Sequence, residues 1–391
     1  MSDIAIFHDR LDLFGGGEAV CTATIEALQD EHELTVFTRA LPPVAELDEF
    51  YGTTIDRSSV RFRTGRGRPS QRTLARLGEV TDRRLGVALQ SLRRAAFVRW
   101  VQRETRDADL VVSTAGEFPF EPPTVVYYHK HGLPATETLD RGRRWLSELL
   151  TAGVGTARPD GAMLANSGWT ADRVARDYGT RPAVCYPPVD TTDLPAGQPW
   201  GERESGFVTV GRIAPEKNVL RNLEIVERLV DRGHDVHLHI VGHAHDRRYT
   251  ERVERRTSDL EFVTYEGKVD RDRLLSLLGS HRYGLHGREQ EHFGIAVAEQ
   301  VASGMLPFVP DSGGQREVVG ELSTLLYSSV EEAVDSISTV LDSGAEQDRL
   351  REQLPDVESE FGRERFRRTI RSVVDSVLTE GSAAATPAAG G

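Results

Sequence analysis

Lysine is nearly missing from this 391-residue chain: Lys130, Lys217 and Lys268 stand against forty-five arginines. Cysteine is as scarce, with Cys21 and Cys185 alone. No CxxC and no Cys/His cluster is present, which speaks against a disulfide framework and against a zinc motif. No apolar run approaches the roughly 18–20 residues that span a bilayer. The opening MSDIAIFHDRLDLFGGG lacks the basic region and cleavage site of a signal peptide, so a cytoplasmic chain, at most peripheral on the inner face of the plasma membrane, is expected. A G-x-G-x-x-G string is absent too: after Gly15, Gly16 and Gly17, Val20 stands where the last glycine should be, which disfavours a nicotinamide-dependent dehydrogenase. No GxxxxGK[ST] exists, which disfavours a P-loop NTPase.

Charge is plentiful but uneven. The net is −13, yet residues 57–106 hold fourteen arginines against Glu79, Asp82 and Glu104. Two D-x-D strings, 107–109 and 270–272, are unremarkable in a chain with 61 acidic residues, and no metal is expected.

Apolar strand patterns alternate with helical ones throughout. IAIFH (4–8), ELTVFT (33–38), DLVVST (109–114), TVVYYH (124–129), GAMLAN (161–166) and AVCYP (183–187) form a first series of predicted strands. After the Pro- and Gly-bearing stretch 187–206, a second series follows: FVTVG (207–211), VHLHIVG (236–242), LEFVTY (260–265), RYGLHG (282–287), LPFVP (306–310) and STLLYS (323–328). Alternation of this kind predicts an α/β fold, with parallel sheets covered by helices on both faces. Two series predict two Rossmann-like, doubly wound domains facing across a cleft, over 1–190 and 205–358. Ligands in such sheets bind beyond the carboxyl ends of the strands. The tail 380–391 is low in complexity and is expected to be disordered.

Three stretches carry chemistry. GRIAPEKN (211–218) places Arg212 and Lys217 between a strand and a helix start, where free amides already favour anions. A diphosphate fits there; an ordinary turn with solvated charges is the competing reading. In EHFGIAVAE (291–299), a helix is predicted to start near Phe293 or Gly294, with the amides of 293–295 free for phosphate oxygens. Glu291 precedes it. Glu299 is eight residues on, about 12 Å along a helix axis, roughly the span from a hexose across a diphosphate to a ribose. The alternative is an amphipathic helix with two exposed glutamates. In the first half, the glycine loop Gly15–Gly17 follows His8 and Asp9, and YYHKHG ends a strand with His129 and His131. His129, and secondarily His131, are candidates for contact with the transferred sugar or the acceptor, with His8 and Asp9 on the acceptor side and Gly15–Gly17 letting the backbone approach the donor diphosphate.

Taken together, FGGGEAV, ANSGWTADRV, CYPPVD, VGRIAPEKN, VGHA, YEGKV, EHFGIAVAEQVASGMLPFV and GGQREVV resemble, in order and spacing, the retaining glycosyltransferases of family 4, with the two-Rossmann GT-B fold. ANSGWT and YPPVDT are especially similar to the subgroup that mannosylates lipid-linked oligosaccharides. The resemblance implies Arg212 and Lys217 on a donor diphosphate, Glu291 on the hexose and Glu299 on the ribose. It implies backbone contacts from Phe293 and Gly294 to the phosphates and from the 266–269 loop, with Lys268 and Val269, to the base. It implies a final helix, near 360–379, that crosses back to the N-terminal domain. It also implies a nucleotide-sugar donor, GDP-mannose or UDP-glucose, with mannose preferred, and a lipid-phosphate-linked or glycan acceptor; Arg212 and Lys217 can do a cation's work, so no obligatory metal or other cofactor is expected. YYHKHG matches the subgroup's histidine segment only loosely, which leaves the acceptor side open. A small soluble acceptor, or a catalytically silent nucleotide-sugar-binding protein, are the competing readings.

The arginine-rich segment 57–106 mixes its cations with Leu, Val, Phe97 and Trp100 at helical spacing. It is expected to dock on an anionic membrane surface; a solvated face balancing the acidic remainder, or nucleic-acid affinity, is the alternative, and no nucleic-acid partner is expected. An acidic, lysine-poor chain also resembles proteins of high-salt, haloarchaeal cytoplasms, although a GC-rich genome favours arginine as well.

Overall fold

The computed structural model describes residues 1–65, 83–130, 160–194 and 197–384, with backbone only over 83–92 and 381–384. The chain divides into two compact units, Met1–Pro188 with Arg363–Gly391, and Val189–Gly362. His131, residues 66–82 of the arginine-rich segment and 385–391 of the tail lie outside the described residues.

The first unit is built on seven strands: β1 (Asp3–Phe7), β2 (Glu33–Phe37), β3 (Val60–Arg63), β4 (Leu110–Ser113), β5 (Thr124–Tyr128), β6 (Met163–Ala165) and β7 (Ala183–Val184). They form one sheet in the order β3-β2-β1-β4-β5-β6-β7, and every pairing is parallel. Successive side chains of β1 point to opposite faces, so one strand feeds two cores. Ile4 and Ile6 join the core shared with the helix Gly16–Leu28, and Ala5 and Phe7 join the one shared with the helix Arg83–Glu104. The first core also receives Phe366, Ile370 and Val374 of the C-terminal helix Arg363–Ala384.

β3 was not expected from the sequence. Its VRFR pattern lies inside the arginine-rich run, and its charged residues suit a sheet edge. Arg63 sits 5.5 Å from the Trp100 ring and pairs with Glu104 at 2.6 Å. Phe97 and Trp100 are likewise corrected: they are core residues, 0% and 7% exposed, packed beneath Phe7 and Phe37. The helical spacing seen in the sequence was real, but the sheet takes the apolar side.

The second unit has six strands: β8 (Glu204–Val210), β9 (His237–Val241), β10 (Val263–Gly267), β11 (His281–Leu285), β12 (Leu306–Pro310) and β13 (Leu326–Tyr327). The order is β10-β9-β8-β11-β12-β13, again all parallel. β10 and β13 start three residues later than the apolar runs suggested, because a 3-10 turn over Ser323–Leu325 precedes β13 and a turn precedes β10. In both sheets the strand order reverses once, between β1 and β4 and between β8 and β11. Crossovers leave to opposite faces at that point, so the loops that follow those strands diverge and open a crevice beyond their carboxyl ends.

Candidate active site

Two loops flank the reversal in the second unit, 211–218 after β8 and 286–294 after β11. Buried Asn222 ties their strands together, its Nδ2 donating to Thr209 Oγ1 at 3.0 Å and to the Leu285 carbonyl at 3.1 Å. Lys217 lies in a 3-10 turn, Pro215–Lys217, rather than in the helix, which begins at Val219. Its Nζ is 2.6 Å from Glu291 Oε2.

Glu291 is 9% exposed. His286 Nε2 lies 3.5 Å from Oε2, and Arg288 Nη1 lies 3.5 Å from Oε1. Burial pushes this carboxyl up, but His286, Lys217 and Arg288 outweigh it and hold the group well below the usual carboxylate range. Burial lowers the pKa of His286.

The 288–291 loop is fixed from behind. The buried Gln315 donates from Nε2 to the carbonyls of Arg288, Ser312 and Pro310 at 2.9, 2.9 and 3.2 Å. Gly314 N donates to the Glu291 carbonyl at 2.7 Å. Gly313 adopts φ +85°, and a Cβ there would fall 2.3 Å from the Glu291 oxygen. The third glycine-rich stretch thus holds Glu291 in place.

The following helix is Ile295–Ala302, with Gly294 before it at φ +103°. Its first internal bond is Ala298 N to Gly294 O. The amides left free by helix geometry are therefore those of 295–297, two residues later than the 293–295 expected. Gly294 must take a left-handed conformation, and that delays the start. Phe293 is buried against Phe361, ring centroids 5.4 Å apart. Glu291 is outside the helix, so the helical-rise span does not apply between the two glutamates.

Glu299 is not joined to Glu291 by any contact. It meets Arg271 Nη1 at 2.8 Å, and Arg271 also grips Asp193 through two 2.8 Å bonds. Burial raises the Glu299 carboxyl, with Arg271 opposing the rise. Arg212 shares the loop with Lys217, yet its guanidinium reaches His245 at 3.5 Å and Glu216 at 3.7 Å and stays half exposed. Lys268 is exposed beyond β10, and Val269 packs on the core of this unit.

In the first unit the same logic gathers residues beyond β1, β4 and β5. His8 Nδ1 is 2.9 Å from Thr114 Oγ1, and His129 Nε2 is 2.8 Å from the Thr114 carbonyl. A carbonyl only accepts, so His129 Nε2 carries the proton. Gly17 abuts both rings: a Cβ there would lie 3.6 Å from His8 and 3.8 Å from His129. Glu18 closes the loop by accepting from Gly15 N at 2.9 Å and facing His8 Nε2 at 3.7 Å. Gly16 opens the helix. Asp9 does not join this group: Arg39 grips it through two 2.6 Å bonds. Sequence reasoning missed Glu18, Thr114, Asp193 and Arg271, whose partners lie on other elements, and His286 and Arg288, which meet Glu291 within its own loop. Only Glu18, at the third position of a glycine-started helix, had a local signal.

Two family models match the chain: Glycosyltransferase Family 4 over residues 14–193 and Glycosyl transferases group 1 over 190–356. Among curated proteins, the human GDP-Man:Man(3)GlcNAc(2)-PP-Dol alpha-1,2-mannosyltransferase is 26% identical over 238 residues, covering 55% of this chain and 48% of the human one. Its Dictyostelium discoideum counterpart is 27% identical over 201 residues, 46% of this chain and 40% of that protein. A GDP-mannose-dependent alpha-mannosyltransferase of Mycolicibacterium smegmatis is 33% identical over 133 residues, 34% and 32% of the two chains. The matched stretches thus span less than half the length of these relatives. Among solved structures, Anabaena HepE in complex with UDP and glucose superposes with a TM-score of 0.68 at 15% identity, over 96% of this chain and all of that one. WaaG, a glycosyltransferase involved in lipopolysaccharide biosynthesis, gives 0.63 at 14%, over 98% and 100%. Those identities speak to fold alone, and the fold is GT-B. With the two family models running almost end to end over 14–356, the chain belongs to the family 4 glycosyltransferases.

Proposed function

We propose that this protein is a retaining hexosyltransferase that moves mannose from GDP-mannose to a lipid- or glycan-linked acceptor. The observation that carries the reading is the Lys217–Glu291 contact at the strand-order reversal, with the 295–297 amides beside it. In this reading Lys217, Arg212 and those amides face the diphosphate. Negative charge grows there as the bond from the anomeric carbon to the phosphate oxygen breaks, and groups already aimed at that charge lower the barrier. Glu291, held ionised, accepts from a hexose hydroxyl. Glu299, oriented by Arg271, accepts from the ribose. Phe293 and Gly294 set the approach of the phosphates, and Lys268 and Val269 flank the base. The acceptor oxygen bonds to the anomeric carbon as the bond to the phosphate oxygen breaks, and its proton passes to the departing diphosphate, which leaves as GDP. His8 and His129 are the proposed acceptor-side groups, with His131 beside them in sequence; the Gly15–Gly17 loop contributes backbone amides.

The GDP-mannose-dependent relatives favour GDP-mannose over UDP-glucose as the donor. No metal is required, since the cations and amides neutralise the diphosphate. We further propose action at the inner face of the plasma membrane, through the arginines of 57–106. With Phe97 and Trp100 committed to the core, that contact is electrostatic. Among the described residues no helix is long and apolar enough to cross a membrane.

A thermal-shift and transfer screen over GDP, UDP, GDP-mannose and UDP-glucose tests the assignment. A melting rise with GDP and GDP-mannose, and mannose transfer to a polyprenyl-linked glycan, is the expected result. Transfer to free sugar phosphate instead supports a soluble acceptor. Binding without transfer to either supports a silent protein.

A further inference from the structure

Three histidines meet at the other end of the second sheet. His237 and His239 lie two residues apart on β9 and share a face; His281 opens β11. Each offers a ligand nitrogen within 4.8 Å of the other two. His237 Nε2 and His281 Nε2 are 3.1 Å apart. Glu204, the first residue of β8, sits between them in the sheet, its Oε2 3.4 Å from His237 Nε2 and 4.0 Å from His281 Nε2. Ligand nitrogens around a tetrahedral ion with bonds of about 2.0–2.1 Å stand about 3.4 Å apart. The separations among His237, His281 and Glu204, 3.1 to 4.0 Å, bracket that value, and His239 lies within 4.8 Å of the other two histidines.

The outer partners set the tautomers. His281 Nδ1 lies 2.9 Å from the Leu277 carbonyl, so Nδ1 holds the proton and Nε2 the lone pair. His239 Nδ1 lies 2.8 Å from Glu266 Oε1, and Arg273 Nη2 donates to the same oxygen at 2.5 Å. A carboxylate behind an imidazole, fixing its tautomer and raising its basicity, is the arrangement that metal-bound histidines use. Gly206 makes the room: a Cβ there would fall 2.3 Å from His237 Nε2.

We propose that His237, His239, His281 and Glu204 form a binding site for a divalent transition metal, zinc by ligand type, at the amino ends of β8, β9 and β11. The nucleotide loops follow the carboxyl ends of β8, β9 and β11, so this ion takes no part in transfer. It clamps three neighbouring strands instead. Imidazole and carboxylate donors select zinc, cobalt or nickel over magnesium or calcium.

The test uses the full chain, stripped with chelator and desalted, then titrated with Zn2+ and separately with Co2+. One Zn2+ per chain, a visible cobalt absorption band and a melting temperature that climbs with Zn2+ concentration are expected. His237→Ala removes the most exposed of the three histidines and should weaken binding at least about tenfold; Glu204→Gln, which keeps the side-chain shape, should weaken it less. Melting without metal checks that each variant folds. His32→Ala, at a separate group with Glu31 and Asp375, should bind as wild type. Failure of wild type to take up Zn2+, which leaves a plain histidine–histidine hydrogen bond, overturns the proposal. So does unchanged uptake in both His237→Ala and Glu204→Gln.

Discussion

Lys217 Nζ and Glu291 Oε2 are 2.6 Å apart, so the cation assigned to a phosphate and the carboxylate assigned to a sugar are bonded to each other. They come from loops 74 residues apart, after the two strands where the sheet order reverses. Each therefore sets the other's position, and neither acts alone.

Coupling of that kind is measurable. Lys217→Ala and Glu291→Gln should each lower kcat/KM by about 10²–10³-fold, the scale of a lost charge-stabilising donor. The double variant should fall little below the weaker single one, since residues acting as a unit are not additive. Transfer kinetics on the four proteins check this; simple multiplication of the two losses would show independent roles.

Glu299 and Arg271 should act on the nucleotide rather than on the sugar. Wild type is expected to bind GDP about tenfold or more tighter than its 2′,3′-dideoxy analogue, the worth of a hydrogen bond to a charged group. Glu299→Ala should erase that preference, and Arg271→Leu should reduce it, because Asp193 and Glu299 lose their shared partner. Calorimetry with both nucleotides reads it out.

Gly313→Ala should cost about 1–3 kcal/mol of stability. A side chain at φ +85° is strained, and its Cβ would press on the Glu291 carbonyl. Denaturant unfolding measures the loss, and activity should fall more than stability, since the displaced residue is Glu291.

Acid should destabilise the second unit in two steps. His286 has a lowered folded pKa, so its contribution is present above its ordinary 6.5 and is lost as pH falls below that value. Glu291 is also depressed: its contribution is present above its ordinary 4.5 and disappears as pH falls through the folded value. The melting-temperature gap between wild type and Glu291→Gln should thus be widest near neutrality and shrink below about pH 4.5. A gap that is constant with pH would mean that Glu291 is not held ionised by its neighbours.

The sequence by itself determined the two alternating series, the parallel sheets they imply, the glycine loops and the family. Apolar periodicity and glycine placement are local, and local signals survive in one dimension. Arg212, Lys217 and Glu291 could be singled out for the same reason, as charges beside strand ends and helix starts. What charge meets what charge was not legible. The separations of 78 positions from Asp193 to Arg271 and 77 from Glu204 to His281 leave no pattern to read; the second is closed by strand register, the first by the packing of the loop and helix that follow. Tertiary structure alone decided that Phe97 and Trp100 are core, that Asp9 belongs to Arg39, and that three scattered histidines share one corner. Parallel pairing brings together residues from distant strands, and burial then fixes which partners each ionisable group must have.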